Sequence, residues 1–176
     1  MAAEVTSQNF GLLVAYVLPG FLTILSLSQH SPTVQTWLAA SSVADSPTVG
    51  GFLYITLASV ATGMIVSVLR WLLLDSIHHH TGLRPPAWNF STLQRNLSAF
   101  QAVVENHYRY YQFYGNTLVA TLIFVTTRNP PLLFWPQSPI LSVVTTLAIL
   151  AVLFAASRDA LKKYYDRAGV LLSLNT

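Results

Sequence analysis

Four stretches without a charged side chain constrain this chain more than any other feature: Phe10–Leu27, Gly51–Leu69, Tyr110–Thr127 and Ile140–Ala156. Each comes close to the ~20 residues that a helix needs to cross a hydrocarbon core of ~30 Å. In hydrocarbon only helices and closed barrels satisfy their own backbone groups. Unbroken apolar runs, in place of period-two alternation, select helices. The fold class expected is therefore all-α, a four-helix transmembrane bundle with spans of about 10–28, 50–74, 110–127 and 140–156. Composition agrees, since 9% of the residues are charged against roughly 25% in soluble domains. At 176 residues the chain reads as a single membrane domain, 1–176.

The placement of charge says more than its net value. Arg70, Arg84, Arg95 and Arg109 fall between the second and third runs, and Arg158, Lys162, Lys163 and Arg167 follow the fourth. Arg128 alone lies between the third and fourth. The positive-inside rule assigns the crowded side to the cytoplasm. The segment 75–109 and the tail 157–176 are then cytoplasmic, as are both termini. Met1–Asn9 has no Lys or Arg ahead of the first run, unlike a cleavable signal peptide, so that span is expected to stay as an anchor. The chain has no cysteine, which excludes disulfides and thiolate chemistry.

Along the chain, Pro19-Gly20 predicts a kink or hinge in the first span. Ser31-Pro32 starts a short surface helix carrying Val34, Trp37 and Leu38, and Ala39–Gly50 reads as a loop. Ser59, Gly63 and Ser67 form a small-xxx-small stripe, whose expected partner is a helix of the same chain, with an identical helix in an oligomer as the alternative. Arg70 is placed to snorkel at the inner interface. Gly82 should end the second helix, with Pro85-Pro86 as an extended connector. From a cap at Ser91, one stripe runs through Leu93, Leu97, Phe100, Val103, Val104, His107 and Tyr111 into the third span, predicting one helix of about 35 residues. Glu105 and Arg109 stand four apart and are expected to pair, as are Asp159 with Lys163 and Lys162 with Asp166. Arg128–Pro139, with four prolines, reads as a stiff outer connection. The last helix should continue as a basic amphipathic segment facing headgroups until Gly169 stops it, leaving Val170–Leu174 to fold onto the membrane or a partner.

Two constellations could carry chemistry. Asp75, His78 and His79 share a helix face, and Glu105 and His107 could approach from the next helix, a donor set suited to zinc, iron or manganese. The spacing matches no established metal signature, and the alternative is a polar junction whose imidazoles favour the helix C-terminus. No other cofactor is called for. The second constellation is aromatic. Tyr108, Tyr110, Tyr111, Phe113 and Tyr114 crowd the third junction, either as an interface girdle or as a pocket with Asn106 and Asn116. Tyr108, Arg109, Tyr111, Tyr114 and Asn116 are its candidate binding residues. Phosphate loops, nucleophile elbows and zinc-protease motifs are absent. The basic residues are too scattered for direct nucleic-acid binding.

The strings Leu18-Pro19-Gly20-Phe21, His78–Trp88 and Glu105–Tyr114 resemble an uncharacterised group of small bacterial four-helix inner-membrane proteins, a likeness that spans roughly residues 10–127 and implies no activity. In size and helix number the chain is also similar to membrane subunits of bacterial phage-defence systems, such as that of the Kiwa system. That likeness implies a place in a defence or signalling complex, and fold alone does not license function. The expected role is a non-enzymatic scaffold or sensor subunit in the inner membrane. It would self-associate or recruit a cytoplasmic protein. A pore subunit, with hydroxyls at Thr23, Ser26, Ser59, Thr62, Ser67, Thr145 and Thr146 lining a path, and a membrane metalloenzyme are the alternatives.

Overall fold

The architecture follows from where the apolar runs stop and what the polar residues beyond them do. The computed structural model describes residues 7–42, 49–127 and 138–172, with backbone alone at 7–13 and 40–42. Among these residues the chain is helical, with no strand. Helix α1 is Ser7–Ser28, α2 is Pro32–Ser42, and α3 is Val49–His80 with a π turn at Trp71–Asp75. After a 3₁₀ turn at Phe90–Arg95 comes α4, built of Leu97–Val103, a π turn Val104–Tyr108, and Arg109–Thr127. Helix α5 is Pro139–Leu172.

Local signals explain most of these ends. Ser31 Oγ accepts from the Val34 amide, capping α2 as the Ser-Pro pair predicts. Helix α2 runs four residues into the stretch expected to be loop. At the end of α3, Gly82 takes φ +93°. The Leu83 amide donates to the His78 carbonyl and the Gly82 amide to that of His79. This is a Schellman stop, which favours a glycine. The cap at the next start is Asn89, whose side chain accepts from the Ser91 amide, and not Ser91 itself. Asn96 then interrupts the predicted long helix, because its backbone (φ −118°, ψ 19°) is not helical. The connection Arg128–Pro139 lies almost wholly outside the described residues, but α5 begins at Pro139 as expected.

Helix α4 is the centre of the bundle. It packs against α1, α3 and α5, while α1 also lies along α3. Among the described residues two helices, α3 and α5, are long and apolar enough to cross a membrane. The described apolar part of α1, Val14–Ser28, is shorter, and α4 is not among those that qualify. The reason in α4 is its position. Its polar Gln112, Asn116 and Thr117 are buried against neighbours, so mean hydropathy is low although they do not face outward. Only 17% of the apolar window of α3 and of α5 is buried, unlike the core helix of a soluble protein. Phe52, Leu57, Ile65 and Leu72 on α3, with Val144, Leu147 and Val152 on α5, are all more than half exposed.

The closest approach is between α1 and α3. A Cβ on Gly20 would sit 1.7 Å from the Ser59 carbonyl oxygen, and one on Gly63 would sit 2.1 Å from that of Tyr16. The small-residue stripe thus serves an intramolecular contact, with Ser59 and Gly63 buried and Ser67 half-buried. Gly20, expected as half of a hinge, provides close packing, and α1 stays helical through Pro19.

Two apolar cores result. The first joins Val66, Leu74, Leu118, Val119 and Ala120 between the apolar runs. The second lies at the basic end, where Tyr111, Ala160, Leu161, Tyr164 and Ala168 gather Trp88, Phe100, Val103 and Tyr108 around them. It changes the reading of the last helix. Helix α5 passes through Gly169 without stopping, and Leu172 is fully buried. Asn96 Nδ2 donates to the Leu171 carbonyl (2.9 Å) and the Asn89 amide to that of Leu172 (3.1 Å). The described tail, up to Leu172, packs on its own chain.

Candidate functional site

The basic end contains a buried polar cluster that begins with a helical irregularity. Five residues apart on an α-helix, two side chains point about 140° away from each other. The π turn at Trp71–Asp75 widens the coil and brings Asp75 beneath Arg70. Arg70 Nη1 lies 2.9 Å from Asp75 Oδ1, and the Arg70 residue is 3% exposed. Arg70 is therefore not a snorkelling side chain but half of an enclosed ion pair. Tyr111 donates its hydroxyl to the same carboxylate oxygen and lies under the guanidinium, 4.6 Å from ring centre to Cζ. Gly115 leaves room for the stem, since a Cβ there would come within 2.7 Å of Arg70 Cδ.

His78 belongs to the edge of this cluster. It is fully buried, packed on Phe154 and Tyr111, with Nε2 3.5 Å from Ser157 Oγ. His79 points elsewhere, with Nε2 3.5 Å from the Tyr165 hydroxyl. His107 lies beside Arg167, Lys163 and Asp159. His78, His79 and His107 thus meet separate neighbours, and among the described residues no group of three or more His, Asp or Glu is placed to hold a metal ion. Of the predicted surface ion pairs, Asp159–Lys163 forms at 2.6 Å. Glu105–Arg109 and Lys162–Asp166 are not among the ion pairs of the described residues.

The aromatic junction also divides. Tyr111 and Tyr108 turn inward, Tyr108 meeting Tyr164 with ring centres 5.0 Å apart. Asn116, a candidate binding residue, is fully buried and donates to the Ala15 carbonyl on the opposite side of α4 (3.1 Å). Gln112 donates to the Tyr16 hydroxyl. Arg109 Nε is buried without a partner. Tyr114 instead stacks with Tyr110 (6.2 Å, interplanar 23°). Those two rings line a cavity of about 250 Å³ between α4 and α5, with Asn106, His107, Asp159 and Lys163. Tyr114 and Asn106 thus line this cavity, Tyr108 lines another with Tyr16, Arg70 and Gln112, and Tyr111 and Asn116 are fully buried. The contribution from α5 was not visible in the sequence, because it depends on how the two helices pair.

His107 is the titratable group of this cavity whose environment is most marked. Burial, reinforced by the Arg167 and Lys163 charges, holds its pKa below 6.5. Its Nε2 is buried and has no hydrogen-bond partner among the described residues. Four of the hydroxyls considered for a polar path are used locally, while Ser59 Oγ is buried without a hydrogen-bond partner among the described residues. Thr23, Ser26, Thr145 and Thr146 each donate to the carbonyl four residues earlier in their own helix.

No protein family, curated protein or solved structure matched the chain.

Proposed function

We propose that this chain is a non-enzymatic multi-pass protein of a bacterial inner membrane, with four spans and both ends in the cytoplasm. It serves there as a scaffold or sensor subunit for a cytoplasmic partner, within a signalling or defence complex. The observation that carries the reading is the second core. Residues mostly outside the apolar runs, joined by Tyr111 and Tyr114 from the start of the third, build a folded aromatic platform at the basic end, continuous with α3, α4 and α5. A simple membrane anchor needs no such platform. A displacement of any of these helices would be felt in it without an intervening linker.

The membrane reading is supported by the exposed apolar residues of α3 and α5 and by the grouping of eight basic residues at the platform end. For α1 and α4, the short described apolar stretch and the inward polar side chains are compatible with spans shielded by α3 and α5. The platform's own surface carries Ala99, Val103, Val170 and Leu171 around an apolar groove flanked by Asp166 and Arg167, a composition suited to a protein contact.

A photo-crosslinking residue at Ala99 or Val170, both exposed, tests the reading in cells. The expected result is a discrete adduct with a cytoplasmic protein or a second copy, absent when the same residue replaces the exposed Leu147 of α5. No adduct at either platform position contradicts the scaffold role.

A further inference from the structure

The cavity between α4 and α5 lies at a particular depth. On α4 its rings belong to Tyr110 and Tyr114, at the start of the third apolar run. On α5 its wall begins at Ala156, the last residue of the fourth run, and continues to Asp159 and Lys163. Two helices running in opposite directions thus place it at the same boundary, where a bilayer's headgroups would be. Its volume of about 250 Å³ is below the ~300–1,000 Å³ of drug-sized pockets and suits a headgroup fragment.

Its chemistry is that of neither a cation nor an anion trap. One carboxylate, one ammonium, a stacked aromatic pair and an imidazole share the lining. Asp159 and Lys163 pair at 2.6 Å, but their side chains are 59% and 53% exposed, and such surface pairs contribute little. Opening the pair to admit a ligand with both charges therefore costs little.

From this we infer that the cavity seats the phosphoethanolamine headgroup of a zwitterionic phospholipid. The lipid ammonium meets the Asp159 carboxylate and the faces of Tyr110 and Tyr114, which attract a cation through the ring quadrupole. The phosphate meets the Lys163 ammonium, with the His107 ring beside it in the lining. The acyl chains remain in the bilayer. This inference rests on the membrane reading above, and the test separates the two.

Protein purified in detergent is offered phosphatidylethanolamine or phosphatidylglycerol of identical chains, and retained lipid is counted by native mass spectrometry. Phosphatidylethanolamine should be retained preferentially. Asp159→Asn should weaken it by about tenfold, as for loss of one charge-assisted hydrogen bond. Tyr110→Ala should also lower it, and Lys162→Gln, an exposed residue outside the cavity, should not. Equal or better retention of phosphatidylglycerol, or retention unaffected by Asp159→Asn, overturns the assignment. Glycerophosphoethanolamine, the water-soluble headgroup, provides the second arm: binding as tight as the lipid's would assign the site to a soluble ligand and overturn the lipid source. A protein extracted only by detergent that holds no lipid loses this inference alone, whereas recovery without detergent defeats the membrane reading as well.

Discussion

Arg70 shows how much one side chain can organise at the edge of an apolar helix. Its charge is matched by Asp75, its face is covered by Tyr111, and its stem lies against Gly115. Breaking a buried pair by removing one partner costs about 3–5 kcal/mol, more than replacing both. Asp75→Ala should therefore lower the thermal stability of the detergent-solubilised protein strongly, and Arg70→Met combined with Asp75→Leu should lower it less. A double variant whose loss equals the sum of the single losses would contradict the pairing. His107 makes a second test at this scale. Its folded pKa is depressed below 6.5, so at pH values beneath 6.5 the unfolded chain binds more protons than the folded one. Stability must then fall as pH drops from 6.5 toward the folded value. Unfolding temperatures measured from pH 8 to pH 5 should show that fall in the native chain and a shallower one in His107→Gln. Equal slopes would remove His107 as a source.

Helix pairing is where sequence reading worked best and where it also stopped. The stripe Ser59, Gly63, Ser67 announces a close contact, and two of the three are buried against α1. Gly20→Ala should cost about 1–3 kcal/mol by overpacking, read as a lowered unfolding temperature. Gly50→Ala, with nothing within 4 Å of the new methyl, should leave it unchanged, and equal effects would disprove the close approach. Gly82 was legible as a stop because a Schellman turn is local. Gly169 was misleading for the opposite reason, since Asn89, Asn96 and the second core hold α5 helical to Leu172. Arg70–Asp75 could not be anticipated either: five residues apart, they meet only because a π turn intervenes.

For the molecule as a whole, hydropathy made the helical class legible. The centrality of α4 was hidden. Buried Gln112 and Asn116 lower the hydropathy of the helix against which the others pack. The candidate cavity was legible only in part. Asn106 and Tyr114 belonged to the aromatic junction, but their partners Asp159 and Lys163 come from a helix some fifty residues away in sequence. Among the described residues the metal set does not come together, since His78 meets Ser157, His79 meets Tyr165 and His107 lies beside the charges of α5.

The central claim is that lipid surrounds the apolar runs and that the platform faces the cytoplasm. A chain without cysteine lends itself to a direct test, in which single cysteines replace the exposed Gln29, Gln101 and Lys162 in spheroplasts of an expressing bacterium. A membrane-impermeant maleimide should label position 29 in intact spheroplasts, and positions 101 and 162 only after lysis. Labelling of 101 or 162 before lysis, or recovery of the protein in a detergent-free soluble fraction, would contradict the account.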